Sequence, residues 1–150
     1  MVILFCILLP ARLNFPLTSE EKAMREPGFD EQIIAPCGMN CGICRAHVRE
    51  NNPCPGCRNI GPDHPKTRVF CHLRLCERRK GAFCSSCDEF PCDRLKRLDT
   101  RYRDRYGMSE IQNLECIRDQ GLETFIVEEQ ARWTSSEGIL CVHDRKYYRR

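Results

Sequence analysis

The sequence has none of the short motifs that mark the common hydrolytic and nucleotide-dependent enzymes. It contains no glycine-rich phosphate loop, no Ser-His-Asp set and no His-Glu-x-x-His helix. Leu, Ile and Val are also sparse between residues 37 and 92. These absences argue against enzyme activity, and they predict a small hydrophobic core that needs another source of stability.

No stretch of the sequence is long enough to predict a membrane span. The apolar run of residues 1–10 is too short to cross a bilayer, and it lacks the basic start and the cleavage site of a signal peptide. It changes abruptly to charged residues before Gly28. We therefore expect Met24 to be the natural start, residues 1–29 to be an N-terminal extension, and the protein to be cytoplasmic.

The composition is that of one small globular protein. The 150 residues are 41% hydrophobic and 30% charged, with a net charge of +3, which is too mild to name a partner.

Cysteine is the residue that the sequence has in excess. The chain has 13 cysteines, and most lie in short clusters within one stretch, at Cys37, Cys41, Cys44, Cys54, Cys57, Cys71, Cys76, Cys84, Cys87 and Cys92. A Cys-x2-Cys turn directs two thiolates at one soft cation, and two such pairs complete a tetrahedral zinc site. A disulfide framework is the alternative, but it requires an oxidising compartment. All ten are predicted metal ligands.

We predict zinc as the metal, with two ions, because two tetrahedral sites use eight ligands and leave one or two cysteines spare. A sequential division would place Cys41, Cys44, Cys54 and Cys57 on one ion and four of the later five on the other. A cross-braced division would alternate the pairs, and His72 is a substitute ligand. A [4Fe-4S] cluster is the alternative cofactor, because thiolates suit iron too. The spacing of Cys37, Cys41 and Cys44 resembles that of radical S-adenosylmethionine enzymes, but the chain is too short for their barrel.

The residues between the cysteines carry a resemblance to a known family. The string Ala35-Pro36-Cys37-Gly38-Met39-Asn40-Cys41-Gly42-Ile43-Cys44, then Cys54-Pro55-Gly56-Cys57, Cys71-x-Leu73-Arg74-x-Cys76 and Phe83-Cys84-x2-Cys87-x-Glu89-Phe90-Pro91-Cys92, resembles the prokaryotic family known as domain of unknown function 3795. The resemblance runs from about residue 30 to the end. It implies a small zinc-binding protein without an established activity, and it supports Met24 as the start.

Helices are predicted both within the cysteine-rich stretch and after it. Asn40 is expected to cap a helix that carries Cys41 and Cys44, and residues 66–80 to form a helix with Val69, Phe70 and Leu73 inward. After the cysteines, Gly107 is expected to end one helix, Ser109 to cap the next, and Gly121 to separate it from a last one. Three apolar stripes are predicted to face the core: Leu95, Leu98, Tyr102 and Tyr106; Ile111, Leu114 and Ile117; Leu122, Phe125, Ile126 and Trp133.

One predicted helix has a basic face. Arg94, Arg97, Arg101 and Arg105 follow the last clustered cysteine, with tyrosines nearby, and Arg and aromatic side chains beside zinc knuckles can bind nucleic acid. Interleaved Asp93, Asp99 and Asp104 instead favour an ordinary solvated face. Nucleic acid is therefore an alternative partner.

Together these patterns predict a small, metal-stabilised, α-rich protein whose cysteine-knuckle region packs on a C-terminal helical segment. The expected divisions are a metal-binding region at 30–94, a helical segment at 95–134 and a degenerate tail at 135–150. The predicted role is a structural-zinc interaction module with a protein partner. An Fe-S protein for electron transfer or sensing and a zinc-knuckle nucleic-acid binder are the alternatives.

Overall fold

The computed structural model describes residues 29–149, and its cysteine-rich part consists of short turns of helix joined by loops. Two short α-helices, α1 (Arg45–Val48) and α2 (Lys66–Val69), lie here. They are accompanied by three 3₁₀ turns at Glu31–Ile33, Cys41–Ile43 and Cys84–Ser86. Such short elements bury little on their own, so this region depends on what it packs against.

Three longer helices follow one another along the chain: α3 (Asp93–Tyr106), α4 (Glu110–Gln120) and α5 (Leu122–Trp133). The expected boundaries are confirmed. Gly107 ends α3 in the left-handed region at φ 66°, the Ser109 hydroxyl accepts the Gln112 N–H at 3.1 Å, and Gly121 separates α4 from α5. The protein is mostly helical, as predicted.

The end of the chain differs from the degenerate tail that the sequence predicts. Three short antiparallel strands, β1 (Thr134–Ser135), β2 (Gly138–Leu140) and β3 (Tyr147–Tyr148), form one sheet in that order. Cys141 and Val142 follow β2 and are fully buried. Strands of two or three residues are too short for alternation to reveal them.

One hydrophobic core joins the cysteine-rich region to the helices. Its fully buried aliphatic side chains come from both parts of the chain: Ile34, Ile43, Leu95, Leu114, Ile126 and Val142. The predicted stripes are present, although Leu98, Tyr106, Ile111 and Leu122 lie at the partly buried margin. The two regions therefore share a single core.

Buried hydrogen bonds fix the cysteine-rich region on the helices. The Asn113 side-chain amide of α4 donates to the Gly38 carbonyl at 3.0 Å. Asn40, whose side chain accepts the Gly42 N–H at 2.9 Å, also donates to the Glu129 carboxylate of α5 at 3.1 Å. Asn40 thus caps the turn that carries Cys41, as predicted, and also anchors that turn to the opposite half of the molecule.

The helix expected over residues 66–80 is wrong beyond Val69. The Arg74 guanidinium donates to the carbonyls of Arg68 and Val69, both at 3.1 Å, and so satisfies the groups that would continue the helix. Phe70 is consequently 78% exposed, whereas Leu73 is buried as predicted.

The predicted extension lies outside the described residues except for Phe29, which is 1% exposed and belongs to the core. Across residues 29–149, no helix combines the length and the apolar character that a membrane crossing requires.

Candidate functional site

The first feature of the site is a repeated turn that carries pairs of cysteines. In Cys41–Cys44 and in Cys84–Cys87, the backbone N–H of the second cysteine donates to the carbonyl of the first, at 3.0 and 3.1 Å. Each turn is a single 3₁₀ turn, so both thiols project from the same side of the backbone. Gly56, at φ 97°, shapes the third pair between Cys54 and Cys57.

Three thiols interact electrostatically with Cys57, and together with it we call them the first thiol group: Cys37, Cys41, Cys44 and Cys57. Burial raises the pKa of Cys37 well above its ordinary value, and the charge of Cys57 adds to the rise. Burial likewise raises the pKa of Cys44, with a contribution from Cys57. These thiols therefore lie within electrostatic reach of one another in a poorly solvated place.

Cys41 and Cys57 form the closest pair in the first thiol group. The Cys57 backbone N–H donates to the Cys41 sulfur at 3.4 Å. The side-chain hydrogen bond between the two thiols lowers the pKa of Cys57 to about 7 and raises that of Cys41 well above its ordinary value. The Cys57 thiol therefore ionises more readily than an ordinary cysteine, which favours cation binding.

The second thiol group consists of Cys76, Cys84, Cys87 and Cys92. Burial raises the pKa of Cys84 to about 11; the Arg79 guanidinium opposes the rise, while the other three thiols add to it. The two groups are neighbours, because the charge of Cys84 also raises the pKa of Cys37.

The remaining two predicted ligands, Cys54 and Cys71, have different surroundings. The Cys54 sulfur lies 3.5 Å from Nδ1 of the buried His64, although the charge of Cys57 still reaches it. Cys71 is partly buried beside a cleft, next to the exposed His72. Cys37 and Cys54 are therefore both within electrostatic reach of Cys57, and the contact with His64 distinguishes Cys54 from the other thiols.

All twelve cysteines within residues 29–149 are free thiols. In the same residues, no set of three or more Cys, His, Asp or Glu side chains has its donor atoms arranged to hold a metal ion. The thiols are gathered into groups, but their sulfurs do not converge on one point. The donor chemistry fits a soft cation, and binding would require the thiol side chains to turn inward.

A cleft of about 390 Å³ opens beside the first thiol group. Cys37, Cys57 and Cys71 line it, and the guanidinium groups around it belong to Arg68, Arg94, Arg97 and Arg101. Three of the four arginines predicted for nucleic-acid binding therefore share one cleft, whereas Arg105 is exposed and is not among its lining residues. Arg68 is partly buried, and although burial acts to lower its pKa, the interactions with Tyr102, Cys57, Cys44 and Cys71 raise it.

Glu110 lies at the inner wall of this cleft and is fully buried. Apart from its own backbone amide, its carboxyl group has no hydrogen-bond partner among the residues that the structure describes. Burial raises the pKa of Glu110 to about 8; the backbone amide and Arg101 oppose the rise, and Asp99 adds to it. The group is therefore mainly protonated at neutral pH.

The raised pKa of Glu110 predicts a specific pH dependence of stability. Because the folded pKa exceeds the ordinary value of 4.5, this group's contribution is fully present below pH 4.5 and is lost as the pH rises towards 8. The side chain at position 110 cannot ionise in the Glu110→Gln variant. Between pH 5 and pH 8.5, the free energy of unfolding of this variant should therefore rise relative to that of the natural protein, by about a few kcal/mol. Denaturant unfolding at both pH values measures this difference.

Glu115→Gln is the matched control, since Glu115 is an exposed carboxylate on the same helix. Its pH dependence should follow that of the natural protein. Parallel stability curves for Glu110→Gln and the natural protein would show that the assigned environment of Glu110 is wrong.

Sequence reasoning missed three residues of the site, namely His64, Arg68 and Glu110. Each is a polar residue with no cysteine spacing or apolar period to mark it. The only available signal for Arg68 was its place among the basic residues between two cysteine clusters, which is also typical of a solvated loop.

Comparison with known proteins gives one informative result. No curated protein and no solved structure matches this chain. Residues 33–97 match the family model described as protein of unknown function (DUF3795), and this match spans both thiol groups. The cysteine pattern and the match over residues 33–97 together support membership of the DUF3795 family.

Proposed function

We propose that this protein binds two zinc ions through its thiol groups, and that these ions stabilise a module that binds another protein. The observation that carries the proposal is the influence of the clustered thiols on one another's pKa: Cys57 acts on Cys37, Cys41 and Cys44, and Cys76, Cys87 and Cys92 act on Cys84. Eight thiolates are the number that two tetrahedral zinc ions require. The first ion would be held by the first thiol group and the second ion by the second.

The charges around the thiols support this proposal. A zinc ion with four thiolates carries two net negative charges. Arg68 interacts with Cys44 and Cys57 in the first group, and Arg79 interacts with Cys84 in the second. Each group therefore has a guanidinium nearby that offsets part of the charge of the loaded site.

The proposed role of the ions is structural. Four thiolates complete the tetrahedral coordination of zinc, and a catalytic zinc keeps one position open for water. The helices and turns of residues 31–92 are too short to be stable on their own, so bound ions would add to the stability that the shared core supplies.

Two large apolar side chains support a role in protein binding. Ile60 is 88% exposed and Phe70 is 78% exposed, and both lie in the segment between Cys57 and Cys71. Exposed side chains of this size are common at protein interfaces, where they become anchors. Ions that order the two ends of the segment would hold these side chains in place for a partner.

Metal analysis of anaerobically purified protein tests the proposal. We expect two zinc ions per chain and a colourless solution. A brown solution with iron and inorganic sulfide would instead establish the Fe-S alternative. Protein without either metal, purified under reducing conditions, would contradict both.

Single substitutions test the assignment of ligands. Cys57→Ser should lose one of two zinc ions, and Cys87→Ser should lose the other. Cys54→Ser should keep both, because His64 and not the first thiol group is the nearest polar contact of Cys54. Cys116→Ala, which removes a buried cysteine of α4 outside both groups, is the control. Loss of an ion from Cys54→Ser but not from a Cys37→Ser variant would favour the sequential division.

A further inference from the structure

The cleft beside the first thiol group has a composition that structural zinc does not explain. Arg94, Arg97 and Arg101, which we call the arginine triad, line it from α3. Their spacing of three and four residues places them on one face of the helix, about 10 Å from first to last along its axis. All three are exposed.

The arginine triad also lacks the ion pairs that neighbouring cations of α3 make. Lys96 pairs with Asp93 at 3.6 Å, and Arg103 pairs with Asp99 at 3.9 Å. Within residues 29–149, no carboxylate lies at ion-pair distance from any member of the triad. Among the described residues, the cations of this helix therefore differ: Lys96 and Arg103 have carboxylate partners, whereas the arginine triad and Arg105, which lies outside the cleft, do not.

The charge of a loaded metal site does not account for the arrangement. Four thiolates around a zinc ion leave two negative charges, and the partly buried Arg68 already interacts with the thiols. The cleft has four guanidinium groups in all. The cleft therefore keeps a net positive charge that favours an anion.

The remaining walls are largely apolar and define the kind of anion. Leu73, Leu98 and Met39 line the cleft beside the arginine triad. A volume of about 390 Å³ lies within the range for small-molecule sites and exceeds the need of an inorganic ion. Several guanidinium groups suit a phosphate group, which carries up to two charges and accepts paired N–H bonds.

We propose that this cleft binds a small organic phosphate, with the phosphate group held by the arginine triad and the less polar body packed against Leu73 and Leu98. A small ligand fits better than a nucleic-acid strand for two reasons. The cleft is closed on its inner side by buried residues such as Glu110. Beyond Arg101, the exposed Asp104 would repel the next phosphates of a strand.

Isothermal titration calorimetry on the metal-loaded full chain tests this proposal, with adenosine 5′-monophosphate as the probe. The nucleotide should bind saturably, and it should bind at least tenfold more tightly than adenosine or inorganic phosphate. Arg97→Gln and Arg101→Gln should each weaken binding by about tenfold or more, since each removes charge-assisted hydrogen bonds. Arg105→Gln is the control and should bind as the natural protein does, because Arg105 lies outside the cleft.

Several results would overturn the proposal. These are no binding of the nucleotide, equal affinity for adenosine, equal affinity for inorganic phosphate, or an equal loss in Arg105→Gln. Binding of a single-stranded oligonucleotide without binding of the mononucleotide would replace the small ligand by nucleic acid. Zinc content measured on the same samples separates this test from that of the proposed function, since the arginine variants should keep both ions.

Discussion

Removing the proposed zinc ions from the purified protein is expected to unfold its cysteine-rich region. Each structural zinc ion contributes on the order of 10 kcal/mol of apparent binding free energy, which is as large as the whole stability of a typical domain, about 5–15 kcal/mol. The short turns at Cys41–Ile43 and Cys84–Ser86 have little helical stability of their own. A chelator under reducing conditions should therefore abolish the dispersed amide resonances of residues 31–92 in a ¹H–¹⁵N spectrum.

The helices α3, α4 and α5 should be affected as well, although less completely. Ile34 and Ile43 share one core with Leu114 and Ile126, so loss of the cysteine-rich region exposes an apolar face of α4 and α5. We expect part of the far-ultraviolet helical signal to remain after chelation, with loss of a cooperative thermal transition. Adding back two equivalents of zinc should restore the spectrum, which separates metal loss from irreversible oxidation.

Two observations would contradict this prediction. One is an unchanged spectrum in protein shown by mass spectrometry to be free of metal. The other is a set of disulfides among the ten clustered cysteines of natively purified protein, since the same sulfurs cannot then bind metal.

The helical half could be predicted from the sequence because its signals are local. Leu95 and Tyr102, seven residues apart, lie on the same buried face of α3. Gly107, Ser109 and Gly121 mark the ends of helices through their own backbone and side-chain chemistry. No residue from elsewhere in the chain is needed to place these ends. The same is true of Asn40, whose role as a cap follows from its position before Cys41.

The elements that sequence reasoning missed depend on contacts between distant residues. The helix α2 ends at Val69 because the Arg74 side chain folds back onto its carbonyls, a contact that apolar periodicity cannot show. The strands near the end of the chain depend on tertiary contacts, such as the 3.0 Å bond from the Val142 N–H to the Ile43 carbonyl. Neither contact leaves a pattern in the sequence.

The same contrast between local signals and distant contacts applies to the candidate site. The spacing of the cysteines predicts the donors as a set, but it could not show that Cys37 and Cys57, 20 residues apart, interact with each other. The basic face of α3 was visible in the sequence, whereas the cleft required Arg68 and Glu110 to approach α3 from different segments. A helix face can be predicted from the spacing of residues along the chain, whereas a cleft depends on residues that are distant in the sequence.

Gly38→Ala is expected to cause a large loss of stability. Gly38 adopts φ 88°, a region that costs other residues about 1–2 kcal/mol. A Cβ at this position would lie 2.6 Å from the Glu110 carbonyl oxygen and 2.8 Å from the Leu114 side chain, which is too close for either. Overpacking of this kind adds about 1–3 kcal/mol, so the total loss should be about 2–5 kcal/mol.

Gly107→Ala is the matched control for this prediction. Gly107 also has a positive φ, 66°, but a Cβ there would meet nothing within 4 Å. It should therefore show only the backbone cost of about 1 kcal/mol, partly offset because alanine restricts the unfolded chain. Denaturant unfolding of both variants with zinc at the same free concentration measures the difference, and equal losses would show that Gly38 does not approach α4 closely. Because Gly38 lies between Cys37 and Cys41, a larger loss in Gly38→Ala would show that the segment carrying these two cysteines depends on its close packing against α4.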